Sequence, residues 1–588
     1  MNGNALMGDE HVRDSIKGFS LPSNAYAWCL LAEIGTVNQL HYGLFSDPED
    51  SLEIAQQRAI DYLFSLLPEP CEVLEVGVGL GTTLKRLLQS GYKAIGITPE
   101  SAQASLARQV CSQPEAVVLS RFESFEVVSA RWELILFQES SQYIDPVDLF
   151  GKCSASLKPN GEIILLDEFS LVRDELSRPS LHFIEHFTAL GERFGFELLH
   201  HADLSRQAAL TVDCLLRMLN QHKASLVKAL KITADRIGAL IAANESYKEN
   251  YLKGRFGYRA LKFRRTGAQT RLPRWIRPGD AAAVRSLFST AFEKTMSQAL
   301  WNWKYAEDRG QAIGVWDGDK LLAHYGGVSR RVSYFGKEVL ASQSADVMTR
   351  IEARRSLTRR SPLFTAAATF LEGTVGFGGR HLLGFGFPNE RARLAPERLG
   401  LYSTPVGKMF ELSWDLNQLR WSRFLFRCTR LNQHHKHDLL AINHCWHLMK
   451  KTVGDLIIGV RDASWLTHRY WNHPEHCYEL YSIKFRTQSL PFAVVVLRRH
   501  ADESTEWMDA VSAPSRMKWL IAGMQNIRDK PISRLFAWAS DPLVALLPPG
   551  SETRDLNVGI PANAWTPGPS AATMQGKWWL MGGDTDFR

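Results

Sequence analysis

The sequence has no CxxC pair, no uncharged and predominantly apolar stretch of the roughly 18 to 20 residues that a membrane helix needs, and no strong surplus of either charge. Each absence removes a class of protein. The eight cysteines stand apart, at Cys29, Cys71, Cys111, Cys153, Cys214, Cys428, Cys445 and Cys477, so reduced structural thiols are expected and no metal site is assigned. With 69 basic residues against 62 acidic ones, a net charge of +7 over 588 positions does not by itself call for nucleic acid. The stretch MNGNALMGDEHVRDS lacks the apolar core of a secretory signal, and the expected location is the cytoplasm, with no membrane partner. Oligomeric state is not legible at this level.

Apolar residues are plentiful. They make up 45% of the chain against 22% charged, a globular mixture in a chain long enough for roughly three to four domain-sized units. From Ser51 to Gly161 the short apolar runs CEVLEVG, KAIGIT, AVVLS, WELILFQ and GEIILLDEF are separated by amphipathic stretches such as SLEIAQQRAIDYLFSLL, GTTLKRLLQSG and PESAQASLARQV. That order predicts an α/β fold with a doubly wound parallel sheet, its ligands at the strand C-terminal ends. FGYRALKFRR reads as the closing edge strand of that sheet.

Arg264 to Pro278 carries basic residues, a glycine and two prolines with little periodicity, and residues 268–278 read as a linker. Beyond it, RPGDAAAVRSLFSTAF begins a helix, and AIGVWDGDKLLAHYGGVSRRVSYFGKEVLASQSADVMT alternates as an antiparallel meander turning at WDGDK and YFGKE. The expected units are therefore 1–267, 279–412 and 413–588. His468-Arg469-Tyr470 echoes Trp303-Lys304-Tyr305, a three-residue hint of a duplicated lobe.

The first candidate site is the glycine turn in CEVLEVGVGLGTTLKRLL, where Glu75, Gly77, Gly79 and Gly81 form ExGxGxG between a strand and a helix. Backbone N–H groups and a positive helix end meet there. The third glycine comes one residue too early for a dinucleotide fingerprint, and the carboxylate before the turn suits an ammonium and would repel a pyrophosphate. An amino-acid tail is the better occupant.

This stretch resembles motif I of the class I S-adenosylmethionine-dependent methyltransferases. The resemblance continues through GYKAIGITPESAQ, SRFESFE, WELILFQESSQYID and LKPNGEIILLDEF, over about residues 26–265. It implies a Rossmann-like domain with S-adenosylmethionine as cofactor, its methionine moiety held by Glu75 and the glycines. Glu123 would lie near the adenine amino group, and Gln138 belongs with the cofactor residues. The second strand ends in GITPE, where the family commonly has an acidic ribose ligand. Thr98 or Gln103 would replace it, as in the small-molecule and cyclopropane-synthase-like branches.

Methyl transfer from a sulfonium is an in-line displacement, so the protein mainly aligns the partners and removes a proton where the acceptor carries one. Candidates at the strand ends are Glu139, Ser140 and Tyr143 in FQESSQY, and Asp167 and Glu168 in LLDEF; Asp167 reads equally as a helix cap. His182 and His186, four apart on a predicted helix, share one face that either covers the acceptor or only packs. His41 and Tyr42 in HYGLF resemble the lid segment of small-molecule methyltransferases, with a buried aromatic cluster as the other reading.

ADVMTRIEARRSLTRRSPLFTAAATFLEG, a predicted strand, basic turn and helix, resembles the coenzyme A segment of the GNAT N-acyltransferase superfamily. FGFPNERARLAPERLGLYS adds Asn389, Ala392, Leu399 and Gly400 at the family's NxxAxxxYxxLG spacing. The resemblance implies a GNAT-like, mostly antiparallel domain using acetyl-coenzyme A or another acyl-coenzyme A. No glycine lies between Arg354 and Ser361, so Arg354, Arg355, Arg359 and Arg360 are expected to supply the charge for a pyrophosphate, alongside Asn389. The family's thiolate-protonating tyrosine falls at Pro396, which cannot do that chemistry and is expected to break its helix. Asp346, at a strand end, is the candidate acceptor of an amine proton.

The expectation is a methyltransferase for a small-molecule acceptor, fused to a GNAT-like acyltransferase for an amine of the same or a related metabolite. The alternative is a methyltransferase whose C-terminal half is a silent binding or scaffold module. No NPPY-type base-flipping motif is present, which disfavours a nucleic-acid acceptor.

Overall fold

Glu72–Val76 is buried along nearly its whole length, as a strand covered on both faces must be. In the computed structural model, which describes residues 9–111, 113–178, 181–267, 270–354, 358–417, 423–550 and 552–587, it is the centre of the first sheet. Contacts divide the chain into two units: residues up to Arg173 with Ser180–Arg274, and Asp174–Pro179 with the residues from Trp275 onward. The division falls inside the stretch read as a linker.

In the first unit the strands are β1 (Glu72–Val76), β2 (Lys93–Thr98), β3 (Val117–Leu119), β4 (Trp132–Gln138), β5 (Leu157–Ser170), β6 (Phe196–Asp203) and β7 (Phe256–Arg265). Their order is β3-β2-β1-β4-β5-β7-β6, parallel through β5. β7 runs antiparallel to both β5 and β6. FGYRALKFRR is therefore not the edge strand. Its inner residues, Gly257 to Leu261, are all buried, whereas the true edge, β6, alternates between covered and open positions. The long polar stretch after β6 forms two helices, Ser205–Leu230 and Ala234–Leu252, separated where Lys231 turns left-handed and Thr233 accepts a hydrogen bond from Arg236 N as a cap.

The division between the units lies within β8 (Arg271–Trp275). The second unit then builds the expected meander, β9 (Gly310–Asp317), β10 (Lys320–Tyr334) and β11 (Lys337–Thr349), with Phe335 and Gly336 both at positive φ in the YFGK turn. β12 (Leu383–Phe385) adds to β11 in parallel through three residues only. A second sheet contains β13 (Gly407–Asp415), β14 (Phe426–Arg430), and, beyond β15 (Ile457–Gly459), β16 (Glu479–Phe485), β17 (Ala493–Arg499), β18 (Thr505–Ser512), β19 (Arg534–Ser540) and β20 (Glu552–Ile560). β15 and β21 (Trp578–Trp579) leave this sheet and extend the first meander beside β10, while β13 is seated between β19 and β20. The two sheets thus exchange strands, and no contact division falls at 413.

Candidate functional site

In the first unit, β1 delivers Glu75 to the glycine turn and the helix Thr82–Gln89 leaves it. Gly77, Gly79 and Gly81 all have left-handed φ, +84°, +54° and +83°. Two of them also make room for neighbours: a Cβ on Gly77 would lie 2.5 Å from Ser140 Cβ, and one on Gly81 2.9 Å from Ala107. A Cβ on Gly79 would meet nothing closer than 4.0 Å, so its open side faces space. That is the side a ligand would fill.

Glu75 is 2% exposed and its Oε2 has no partner among the described residues. Burial alone pushes its carboxyl up to about 8. A buried acid with an unpaired oxygen beside backbone in such a turn fits the ammonium of an amino-acid tail. Gln138 repeats the pattern: its Oε1 accepts from Thr83 Oγ1 at 3.0 Å, while its Nε2 is buried and unpartnered. Thr98 Oγ1 donates to Gln103 Oε1 at 3.2 Å, so those two candidates are neighbours at the end of β2. Glu123 is exposed after β3. Gln39, which sequence reasoning missed, has a buried unpartnered Oε1 and lines a cavity of about 240 Å³ that also borders Thr82. The residues present therefore fit S-adenosylmethionine.

The acceptor candidates gather into a buried carboxylate–tyrosine cluster. Glu139 sits at φ +53° at the end of β4, and its Oε1 accepts from Tyr42 N at 2.6 Å and Tyr258 OH at 2.8 Å. Tyr42 and Tyr258 stack with centroids 5.6 Å apart. Tyr251 OH donates to Glu168 Oε1 at 2.7 Å. Burial pushes Glu139 well above the usual carboxylate range, and the Glu168 charge adds to the rise. Glu168 is itself raised to about 7 by burial, with the Tyr251 bond pulling it back down. Two such acids do not both ionise readily, so the pair retains a proton near neutrality.

Asp167 has a different role. Its Oδ2 accepts from Ser141 N, Ser141 Oγ and Gln142 N, and its Oδ1 from Glu168 N, so it pins the turn after β4. Ser140 Oγ donates to Val76 O at 2.5 Å, and Tyr143 is 78% exposed. His41 is tied to Tyr42 O through Nδ1, with Nε2 buried and unpartnered, and burial lowers it to about 4. His182 and His186 do not share a helix. Phe183 bridges to Ser170 as a short β contact, so the helix begins only at Ile184 and His182 precedes it. His182 Nε2 instead bonds Ser141 O at 3.0 Å, and His186 Nδ1 bonds Arg173 Nη1 at 2.9 Å.

In the second unit a bulge opposite Tyr325 places Asp346 at φ +49°. Its Oδ1 accepts from Lys304 Nζ at 2.8 Å and its Oδ2 from Tyr305 OH at 2.7 Å, while Asp586 takes the same ammonium at 3.3 Å. Burial would raise Asp346, but the Lys304 ammonium and these bonds hold its carboxyl below the ordinary value. On the neighbouring stretch of β11, the hydroxyls of Ser344, Tyr325 and Tyr402 form a chain at 2.9 and 2.7 Å. The structure does not break the helix at Pro396. Glu390–Arg398 continues through that residue, which is buried in the last turn and forgoes one intrahelical bond there without ending the helix. Asn389 caps this helix, accepting from Ala392 N at 2.9 Å. Arg354 Nε donates to Thr349 O, Arg359 lies over the Trp565 ring, and Arg360 is exposed; Arg355 lies outside the described residues. Lys304, Asp586 and Tyr402 were not found from sequence, because no local pattern marks them.

A glycine cradle at the first strand end of a doubly wound sheet, and a bulged meander followed by a basic turn and helix, define two transferase classes. Family comparison finds both: residues 74–165 match a methyltransferase domain and residues 273–360 an acetyltransferase (GNAT) domain. No curated protein matches the chain. Among solved structures it is similar to the cyclopropane synthase MmaA2 from Mycobacterium tuberculosis, at 17% identity over 45% of this chain and 100% of that one, with a TM-score of 0.36. Geranyl diphosphate C-methyltransferase from Streptomyces coelicolor A3(2) overlaps at 16% identity, 44% and 98% coverage, and a TM-score of 0.32. A conserved Enterococcus faecalis V583 protein described as a probable N-acyltransferase overlaps at 11% identity, 50% and 73% coverage, and 0.41. At such scores these overlaps carry no inference about substrate. No helix among the described residues is long and apolar enough to cross a membrane.

Proposed function

We propose that the first unit methylates a small-molecule acceptor using S-adenosylmethionine, and that the second transfers an acyl group from an acyl-coenzyme A to an amine of the same or a related metabolite. The observation that carries the first half is the unpartnered Glu75 oxygen in the glycine cradle. The bound donor supplies an electrophilic methyl group. Glu75 and the turn would hold its amino-acid tail, Thr98, Gln103 and Gln138 would partner its polar groups, and the stacked Tyr42 and Tyr258 cover Glu139. Glu168, at about 7, takes the acceptor proton, and Glu139 keeps its own.

In the second unit Tyr402, whose hydroxyl bonds Tyr325 OH of β10, takes the role Pro396 cannot fill and gives a proton to the leaving thiolate. As the amine forms its bond to the acyl carbon and the thioester C–S bond breaks, Asp346, held ionised by Lys304, takes the proton the amine loses. A silent second unit is the competing reading, favoured by both Asp346 oxygens being already engaged. Calorimetric titration of the whole protein with S-adenosylhomocysteine and, separately, acetyl-coenzyme A separates these readings. Heat with both supports two donor sites, heat with the first alone supports the silent module, and heat with neither refutes the proposal.

A further inference from the structure

A cavity of about 570 Å³ in the second unit is walled by β10, β11 and the segments 460–472 and 583–586, and it shares Lys304 and Asp586 with the Asp346 cluster. Its volume suits a metabolite-sized molecule. The wall has two opposed characters. Trp303, Trp465, Leu439 and Val460 present ring and aliphatic surface, while five basic side chains, Lys304, Arg309, Arg330, Arg331 and Arg469, face it against only two carboxylates, Asp584 and Asp586.

The two carboxylates are already committed. Asp584 takes Arg461 and Arg330, and Asp586 takes Lys304. Lys304, Arg309 and Arg331 also hold Asp346, Glu307, Glu338 and Asp462 behind the wall; at His468 the cations still prevail, since after burial itself the charges of Arg309, Arg469 and Arg330 hold its imidazole down to about 4. Two donors on the wall also lack acceptors. Arg309 uses one guanidinium nitrogen on Glu307 at 2.9 Å, but its buried Nε has no partner among the described residues, and neither has the buried Nε1 of Trp465. A buried N–H without an acceptor is costly, so an incoming oxygen anion would satisfy what the fold leaves open.

We propose that this cavity binds a metabolite-sized organic anion with an aromatic or apolar body, its charged oxygens received by Arg309 Nε and Trp465 Nε1. Lys304 lines the cavity and grips Asp346 on the other side, so an anion that also carries an amine lies next to the proposed acyl-transfer residues and is the acyl acceptor. The acceptor role rests on the acyltransferase reading above; the binding does not.

The test uses 1-anilinonaphthalene-8-sulfonate, an aromatic anion whose fluorescence rises on binding, against the full-length protein, with the uncharged N-phenyl-1-naphthylamine as its matched control. The expected result is one site per chain that prefers the sulfonate at least tenfold and weakens with added salt. Arg309→Gln should weaken the sulfonate about tenfold or more, and Trp465→Phe, which keeps a ring but removes the donor, about threefold or more, both with unchanged melting temperature. Neither should change affinity for the neutral dye. Equal affinity for the two dyes, or sulfonate binding insensitive to both substitutions, would overturn the proposal. Acetyl-coenzyme A binding is read separately, so a failure of the acyltransferase reading leaves this result interpretable.

Discussion

Glu75 offers the sharpest test of the methyl-donor site, because the structure sets both the sign and the size of the effect. Its carboxyl stands at about 8 in the empty protein against an ordinary value of 4.5, with burial as the cause. At pH 7, roughly nine molecules in ten therefore carry the proton. Pairing with the ammonium of S-adenosylhomocysteine requires the ionised form, so binding should release about 0.9 proton per ligand at pH 7 and few above pH 9. Apparent affinity should rise about tenfold for each pH unit between roughly 5.5 and 7.5, close to 1.4 kcal/mol per unit. Calorimetry in buffers of different ionisation enthalpy measures the released protons directly.

Stability gives the same answer from the other side. The unfolded carboxyl ionises near 4.5 and the folded one only near 8, so the folded state binds the extra proton between those values. The Glu75 contribution to the stability of the ligand-free first unit should be fully present below 4.5, be lost as pH rises through that window, and be gone above 8. Glu75→Gln should flatten this slope and abolish the proton release. A release below about 0.2 proton at pH 7, or an equal release from Glu75→Gln, would refute the reasoning.

Gly79→Val should abolish binding of S-adenosylhomocysteine by forcing a β-branched residue into φ +54° at the open face of the cradle; unchanged affinity in a folded variant would contradict the site. With Glu168 at about 7, the methylation rate should rise with pH to an inflection near 7, and Glu168→Gln should remove that inflection as well as slow the reaction; a surviving inflection would assign the proton elsewhere. Asp346→Asn should suppress any acyl transfer while methylation persists, and equal loss of both activities would argue against independent sites. Arg461→Leu should destabilise the second unit by about 3–5 kcal/mol in denaturant unfolding, since it strands Asp509 and Asp584 in the interior; a loss under about 1 kcal/mol would show that those acids are neutral there.

What sequence revealed and what it hid divide along chain distance. The glycine cradle is built from residues within one strand-turn-helix, so its pattern survives in the string of letters. The acceptor cluster is not local: Tyr251 and Tyr258 reach Glu168 and Glu139 from far down the chain, through a helix and a strand whose own periodicity says nothing of what they face. FGYRALKFRR misled for the same reason. Its place between β5 and β6 is decided by which strand it pairs with, and pairing is not written in a strand's own residues. His182 and His186 have helical spacing, yet one backbone bridge at Phe183 delays the helix past the first of them. The echo of Trp303-Lys304-Tyr305 in His468-Arg469-Tyr470 does not establish a duplicated lobe: Tyr305 and Tyr470 share only that each donates to a carboxylate, Asp346 and Asp509.

The traded strands of the second unit bear on how the protein comes to be made. Val332–Tyr334 pairs with Ile457–Gly459, which in turn pairs with Trp578–Trp579, and β13 needs β19 and β20 on either side. The first sheet takes β15 and β21 from beyond and around the second, and β13 must wait for β19 and β20 over a hundred residues later, so closing them requires long loops to be paid for in entropy before the ladders form. A nascent chain that has emerged only as far as β14 carries open sheet edges with no mate. Such intermediates invite chaperones or aggregation, and recombinant halves cut anywhere between the two sheets should emerge insoluble even though the whole chain folds.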